Sequence, residues 1–252
     1  MNRWLNRLTD GVRLPGTRQR LRIWRNRLRG YGYCVAGVRV PINRALLSHT
    51  MEDWISKGQN QVAEFACARD LVRSGDVVLE LGGGLGVLSA ALSREAAPSR
   101  IVTYEGNPDL LSYAKLTHQF NGASNIEVRH GIVLSRAEAP TVSFYRHVDV
   151  WGGSLFPVQG TNSNEVKVPV VKLTEVLTEL VPNVLLVDIE GGELDLFEGA
   201  ETLGSLDRIA LELHPDIYGT AGVLKVFQAL CRLGFAYDTK LSRGTNVALR
   251  RI

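Results

Sequence analysis

The chain has 252 residues, is 45% hydrophobic and carries a net charge of +3, enough apolar material for one substantial α/β core. No apolar run approaches the length of a bilayer span. Three widely separated cysteines without CxxC spacing argue against a disulfide framework and for a reducing, cytoplasmic compartment. The charge is uneven: residues 1–29 hold nine arginines against one acid, Asp10, a local +8 that leaves −5 for the rest.

The arginine-rich start (1–30) is set apart from a domain spanning 31–252. It lacks the apolar stretch of a secretory signal. Trp4, Leu5 and Leu8, then Leu21, Ile23, Trp24 and Leu28, suit short amphipathic helices with basic faces. Such a segment fits peripheral contact with an anionic membrane, a grip on an acidic partner, or a solvated lead-in. Nucleic acid is disfavoured, because the arginines form a terminal tail and the Asp/Asn-Pro-Pro-Tyr signature of amino methylation is absent.

In chain order, Tyr33–Ile42 alternates like a short strand, and Trp54–Val72 has helical spacing up to a turn at Ser74-Gly75-Asp76. Strand and helix patterns then alternate: Val77–Leu81 before Val87–Ala96, and Ile101–Glu105 before Pro108–Phe120. Asn125–Val133 closes the first half. Thr141–Leu173 is an excursion of short strands and loops. The second half resumes with Val184–Glu190 before Glu193–Leu203, and Arg208–His214 before Val223–Gly234. Phe235–Leu241 and Asn246–Ile252 have no helix between them and are expected to close the sheet as an antiparallel hairpin. The central runs are nearly all apolar, as strands buried on both faces are. The expected fold is α/β, a doubly wound, mostly parallel, Rossmann-like sheet.

Ligands of such sheets sit at the carboxyl ends of the strands, near the reversal of strand order. Glu80-Leu81-Gly82-Gly83-Gly84-Leu85-Gly86 lies there. A dinucleotide loop wants GxGxxG under a pyrophosphate, but Val87 stands where the third glycine belongs, and the frame from Gly84 meets Ser89. Glu80 would repel a pyrophosphate. It suits S-adenosylmethionine, which carries an ammonium and a sulfonium and no phosphate, so a nicotinamide dehydrogenase is disfavoured. Gly82, Gly84 and Gly86 let backbone approach the ligand, and Glu105, ending the next strand, is placed for the ribose hydroxyls. Ile132, after the third strand, is the candidate to pack on the adenine.

Asp188, Glu190 and Glu193 cluster between a strand and a helix, and Glu212 and His214 end the next strand. Ionisable groups in such apolar surroundings are costly unless they meet partners or ligands. His214 is the candidate general base, with a helix cap as its alternative. Asp188 and Glu190 join it as candidate catalytic groups, while Glu193 reads as a helix-dipole or arginine partner. A Mg²⁺ ion on Asp188, Glu190 and His214 is conceivable, but the spacing fixes no geometry and no metal is assigned.

These motifs resemble the FkbM-type methyltransferase family, over roughly Pro41 to the end. The resemblance rests on Val187-Asp188-Ile189-Glu190-Gly191-Gly192-Glu193, on Glu212-Leu213-His214-Pro215, on the glycine loop, and on Glu105-Gly106-Asn107-Pro108. Val168–Leu177 is similar to the family's strand and helix start, with Thr174 in place of Asp. The resemblance implies a class I methyltransferase fold, S-adenosylmethionine as cofactor, and methylation of a hydroxyl on a small molecule such as a sugar, glycan or secondary metabolite. It adds Asn107 and Glu64 to the cofactor-binding candidates, Glu64 at the methionyl end. It also places Trp151-Gly152-Gly153-Ser154-Leu155 in the acceptor pocket. A cofactor-binding module without catalysis, and a methyltransferase acting on a macromolecule, are the competing readings.

Overall fold

The structure, a computed structural model, describes residues 24, 33–41, 55, 62–146, 153–155 and 164–252. Except for Trp24, the arginine-rich start lies outside the described residues, as do Trp151 and Gly152.

Tyr33–Val35 (β1) and Val38–Val40 (β2) form an antiparallel pair, followed by the helix Val62–Leu71 (α1). The first half then runs Val77–Leu81 (β3), Val87–Glu95 (α2), Arg100–Glu105 (β4), Pro108–Phe120 (α3) and Ile126–His130 (β5). Three strands build a side sheet: Ile132–Leu134 (β6), Thr141–Arg146 (β7) and Asn164–Lys172 (β8), in the order β6-β8-β7. The second half comprises Leu173–Leu180 (α4), Val184–Val187 (β9), Glu193–Glu198 (α5), Arg208–Glu212 (β10), Pro215–Arg232 (α6), Phe235–Tyr237 (β11) and Asn246–Arg251 (β12).

The main sheet has the order β11-β12-β10-β9-β3-β4-β5. β10, β9, β3, β4 and β5 are parallel, and β12 runs antiparallel between β10 and β11, which confirms the closing hairpin. Strand order reverses between β3 and β9, where Leu81 lies beside both Tyr104 and Val187. The turns after β3, β4 and β9 therefore open at one edge of the sheet. Both faces are covered, since every residue of β9 is buried. On one face Leu79, Leu185 and Leu211 pack with α4, α5 and α6 residues including Leu177, Leu196 and Val226. On the other, Val78, Ile101 and Leu186 pack against Leu71 and Leu92.

Two expected elements are divided. Tyr33–Ile42 turns back at Ala36 and Gly37, both with positive φ, into the β1–β2 pair. Asn125–Val133 breaks at Gly131, whose N–H bonds to the Glu105 carbonyl at 3.1 Å. There the backbone passes so near β8 that a Cβ would stand 3.3 Å from the Pro169 carbonyl oxygen. β6 then leaves the main sheet and pairs with β8.

At the opposite edge, Asp76 and Arg208 are both buried and joined by two hydrogen bonds of 2.8 and 2.9 Å. Asn183 donates to Asp76 at 2.7 Å and accepts from the Val77 N–H at 2.8 Å. Burial pushes the Asp76 carboxyl up, but Arg208, the Arg73 N–H and Asn183 together bring it below its ordinary value. This network ties α1, β3, β9 and β10 at their inner ends.

Candidate active site

β3 delivers Glu80 and the glycine loop to the sheet edge. Gly82 has φ +92, and a Cβ there would stand 1.7 Å from the Asp188 carbonyl oxygen. The Asp188 N–H bonds to the Leu81 carbonyl at 3.0 Å, so the turns after β3 and β9 lie flush and glycine is the residue that fits. Gly83 is packed on Thr103, and Gly86 turns to α3, where a Cβ would meet His118 Nε2 at 2.6 Å. Gly84 differs: it has φ +50, and a Cβ there meets no protein atom within 4 Å. Sequence reasoning gave Gly82, Gly84 and Gly86 the same ligand-facing role, but Gly86 serves helix packing.

A cleft opens over this loop, lined by Glu80, Gly82, Gly84, Glu105, Asn107 and Ile132 among the sequence-derived candidates. Glu80 is 2% exposed, and its Oε2 has no hydrogen-bond partner among the described residues. Burial raises its pKa to about 7, tempered by the polar groups of Thr103 and Ser89. Glu105 accepts from the Gly84 N–H at 2.7 Å through Oε2 and from the Asn107 N–H at 2.6 Å through Oε1. Burial raises this carboxyl too, against the pull of those N–H groups. Asn107 also caps α3, its side chain accepting from the Asp109 N–H at 3.1 Å. Glu64 falls in α1, with its side chain outside the described ones.

Asp188 and Glu190 line the same cleft from the turn after β9. Glu190 has φ +51 and Gly191 φ +99, a local reversal that is costly for a glutamate. It brings Glu193 back beneath the turn. Glu193 is fully buried, and its Oε1 accepts from the Ile189 and Gly191 N–H groups at 3.3 and 3.4 Å. The same oxygen lies 3.1 Å from Nδ1 of His214. His214 Nε2 in turn lies 3.5 Å from Asp188 Oδ1 and 3.5 Å from Glu190 Oε2. Burial depresses the imidazole pKa, but Glu193, Glu190 and Glu212 more than offset this and leave it raised. Burial raises Glu190 as well.

Two expectations change here. His214 stands at the N-cap of α6 with no side-chain capping bond, so its ring is engaged by Glu193 rather than by the helix. Glu193 is the group that orients His214, a role the sequence did not reveal because it depends on the reversal at Glu190 and Gly191. Glu212 faces the other side of the sheet, against Cys67 and Asn246. Asp188, Glu190 and His214 each offer one ligand atom, all within 4.8 Å of one another.

The side sheet walls the cleft with Ile132, Val133 and Phe144, and Gly153 and Leu155 lie beside them. Ser154 pairs with Tyr145 and donates to the Glu190 carbonyl at 3.3 Å. Phe144 was not legible as a cleft residue, since its strand reads like any other.

The methyltransferase FkbM domain family matches residues 86–237. No curated protein matches the chain. Among solved structures, a Pyrococcus horikoshii protein described as a transferase is 10% identical, with 88% of this chain and 71% of that one covered at a TM-score of 0.51. The precorrin-6y C5,15-methyltransferase of Geobacter metallireducens is 14% identical, with 83% and 91% covered at 0.43. M. jannaschii TYW2, in complex with AdoMet, is 12% identical, with 85% and 82% covered at 0.43. The first is a likeness of fold.

The sheet order and the cleft at its reversal define a class I methyltransferase fold. The chain belongs to the FkbM methyltransferase family and is an S-adenosylmethionine-dependent enzyme. The cleft fits that cofactor: a buried acid with an unpartnered oxygen suits a cationic ligand, and Gly84 leaves backbone bare over open space.

Proposed function

We propose that the protein methylates a hydroxyl oxygen of a small molecule. The observation that carries this is the convergence of Asp188 Oδ1, Glu190 Oε2 and His214 Nε2 beside the cofactor cleft. S-adenosylmethionine supplies a methyl on a sulfonium, and its transfer breaks the C–S bond, with the electron pair returning to sulfur as the C–O bond forms. A hydroxyl sheds its proton as that bond forms, so an acceptor must stand at hand. His214 Nε2 is that acceptor, with its ring oriented through Nδ1 by Glu193. Asp188 and Glu190 offset the positive charge that the imidazole gains. The same two carboxylates repel anionic acceptors such as phosphates and carboxylic acids. Asn107, Glu105, Glu80 and Ile132 are assigned to the cofactor, and Leu155 to the acceptor.

The test is a panel of hydroxylated acceptors, sugars and secondary metabolites included, incubated with enzyme and S-adenosylmethionine and followed by mass spectrometry. A product heavier by one methylene is expected. His214→Ala should lower turnover by roughly 10²–10⁴ with little change in cofactor affinity. Methylation confined to proteins or nucleic acids would replace this reading with the macromolecular one.

A further inference from the structure

We propose that Asp188, Glu190 and His214 form a binding site for a divalent first-row transition ion, of which Mn²⁺ is representative. The site itself follows from the geometry; only its use in catalysis rests on the hydroxyl-methylation reading.

With the Nδ1–H of His214 directed at Glu193, 3.1 Å away, Nε2 presents a lone pair. Nε2 is 3.5 Å from one oxygen of each of two carboxylates. In this tautomer, and with both carboxylates ionised, none of the three atoms can donate to another, so three acceptors lie within 4.8 Å of one another. A proton on Nε2 does not account for the spacing, because N–H···O bonds close at about 2.7–3.2 Å. An ion does: the two carboxylate oxygens each lie 3.5 Å from Nε2, and two atoms that far apart, each about 2.1 Å from a shared centre, subtend about 110° there. The backing is of the kind metal-bound histidines have, since the other ring nitrogen donates to a carboxylate that fixes tautomer and orientation. Glu193 is fully buried and held by two backbone N–H groups, and so presents a stiff support.

One imidazole and two carboxylates make a mixed nitrogen and oxygen set. Mg²⁺ takes oxygen ligands and retains its waters, whereas Mn²⁺, Fe²⁺ and Zn²⁺ accept imidazole readily. Three protein ligands leave positions open towards the cleft, which Asp188 and Glu190 line. A hydroxyl oxygen bound there would be acidified by the ion. His214 would then be a ligand, and the hydroxyl proton would pass to a carboxylate oxygen that does not hold the ion, or to water.

The experiment uses the full chain, freed of metal by chelation and dialysis and titrated with Mn²⁺, free ion being read by electron paramagnetic resonance. One ion per chain is expected. Asp188→Asn and His214→Ala should abolish binding, and Glu193→Gln should weaken it about 10–100-fold. S-adenosylmethionine affinity and circular dichroism report that each variant is folded. Zn²⁺ should displace the bound Mn²⁺ and Mg²⁺ in equal excess should not. Failure of the wild type to bind Mn²⁺, or equal binding by Asp188→Asn, overturns the site. If hydroxyl methylation persists without Mn²⁺ binding, the ion is discarded and His214 stands as the base. If Mn²⁺ binds but no hydroxyl is methylated, the site stands and the acceptor class falls.

Discussion

At Glu80, burial and ligand charge pull in opposite directions. Its pKa is raised to about 7 by desolvation, so below that pH the folded protein holds a proton there. Between the unfolded value near 4.5 and about 7, the folded state binds more protons than the unfolded one. Glu80 therefore contributes stability that is lost as pH rises through 7. A cationic cofactor favours the ionised form, so affinity for S-adenosylmethionine should rise through the same range, with proton release on binding below pH 7. Calorimetry in buffers of different ionisation enthalpy measures both, and Glu80→Gln should flatten the trend. The glycines separate by what they touch. Gly82→Ala should unfold or strongly destabilise the protein, because the Cβ collides with the Asp188 carbonyl. Gly84→Ala should cost about 1–2 kcal/mol from its left-handed backbone, while weakening the cofactor much more than it weakens the fold. Urea denaturation and calorimetry on the two variants distinguish these outcomes. The sequence showed Asp188, Glu190 and His214 as a group because each stands at a strand end. It did not show which atom faces which, since that depends on the left-handed backbone at Glu190 and Gly191.

Elements were legible where a single face or strand sets its own pattern. β9 is apolar throughout, and β3 and β10 are apolar apart from Glu80, Arg208 and Glu212, because helices cover both sides, and that requirement is local. The break between β5 and β6 was hidden because strand-forming residues, Ile126 and Val128 before Gly131 and Ile132 and Val133 after it, stand on both sides of the glycine. Only the approach of β8, distant in sequence, diverts the chain there. The inner ends of β3, β9 and β10 depend on the buried Asp76–Arg208 pair. Removing one partner leaves an uncompensated buried charge, so Arg208→Ala should cost roughly 3–5 kcal/mol by urea denaturation, with cofactor affinity preserved in the folded fraction. Asp76 has a lowered pKa, so its contribution is present above the unfolded value of 3.8 and lost as pH falls below it.

Across the whole molecule, every group assigned to the cofactor or the chemistry lies after residue 63. No helix among the described residues is long and apolar enough to cross a membrane. Deleting residues 1–29 should leave S-adenosylmethionine affinity and the circular dichroism of the domain unchanged. If the arginines serve an anionic surface, the same deletion should abolish cosedimentation with vesicles containing phosphatidylserine; equal sedimentation of both forms retires that role. The second half places Asp188, Glu190 and His214 at the edge where the first half places its glycine loop, so the acid cluster stands beside the cleft that fits the methyl donor. The most direct test of hydroxyl methylation uses S-adenosylmethionine carrying a ¹³C-labelled methyl, with the product of the best acceptor examined by carbon NMR. A labelled carbon with the chemical shift of a methyl on oxygen is the predicted result; a shift showing attachment to nitrogen or carbon would contradict it.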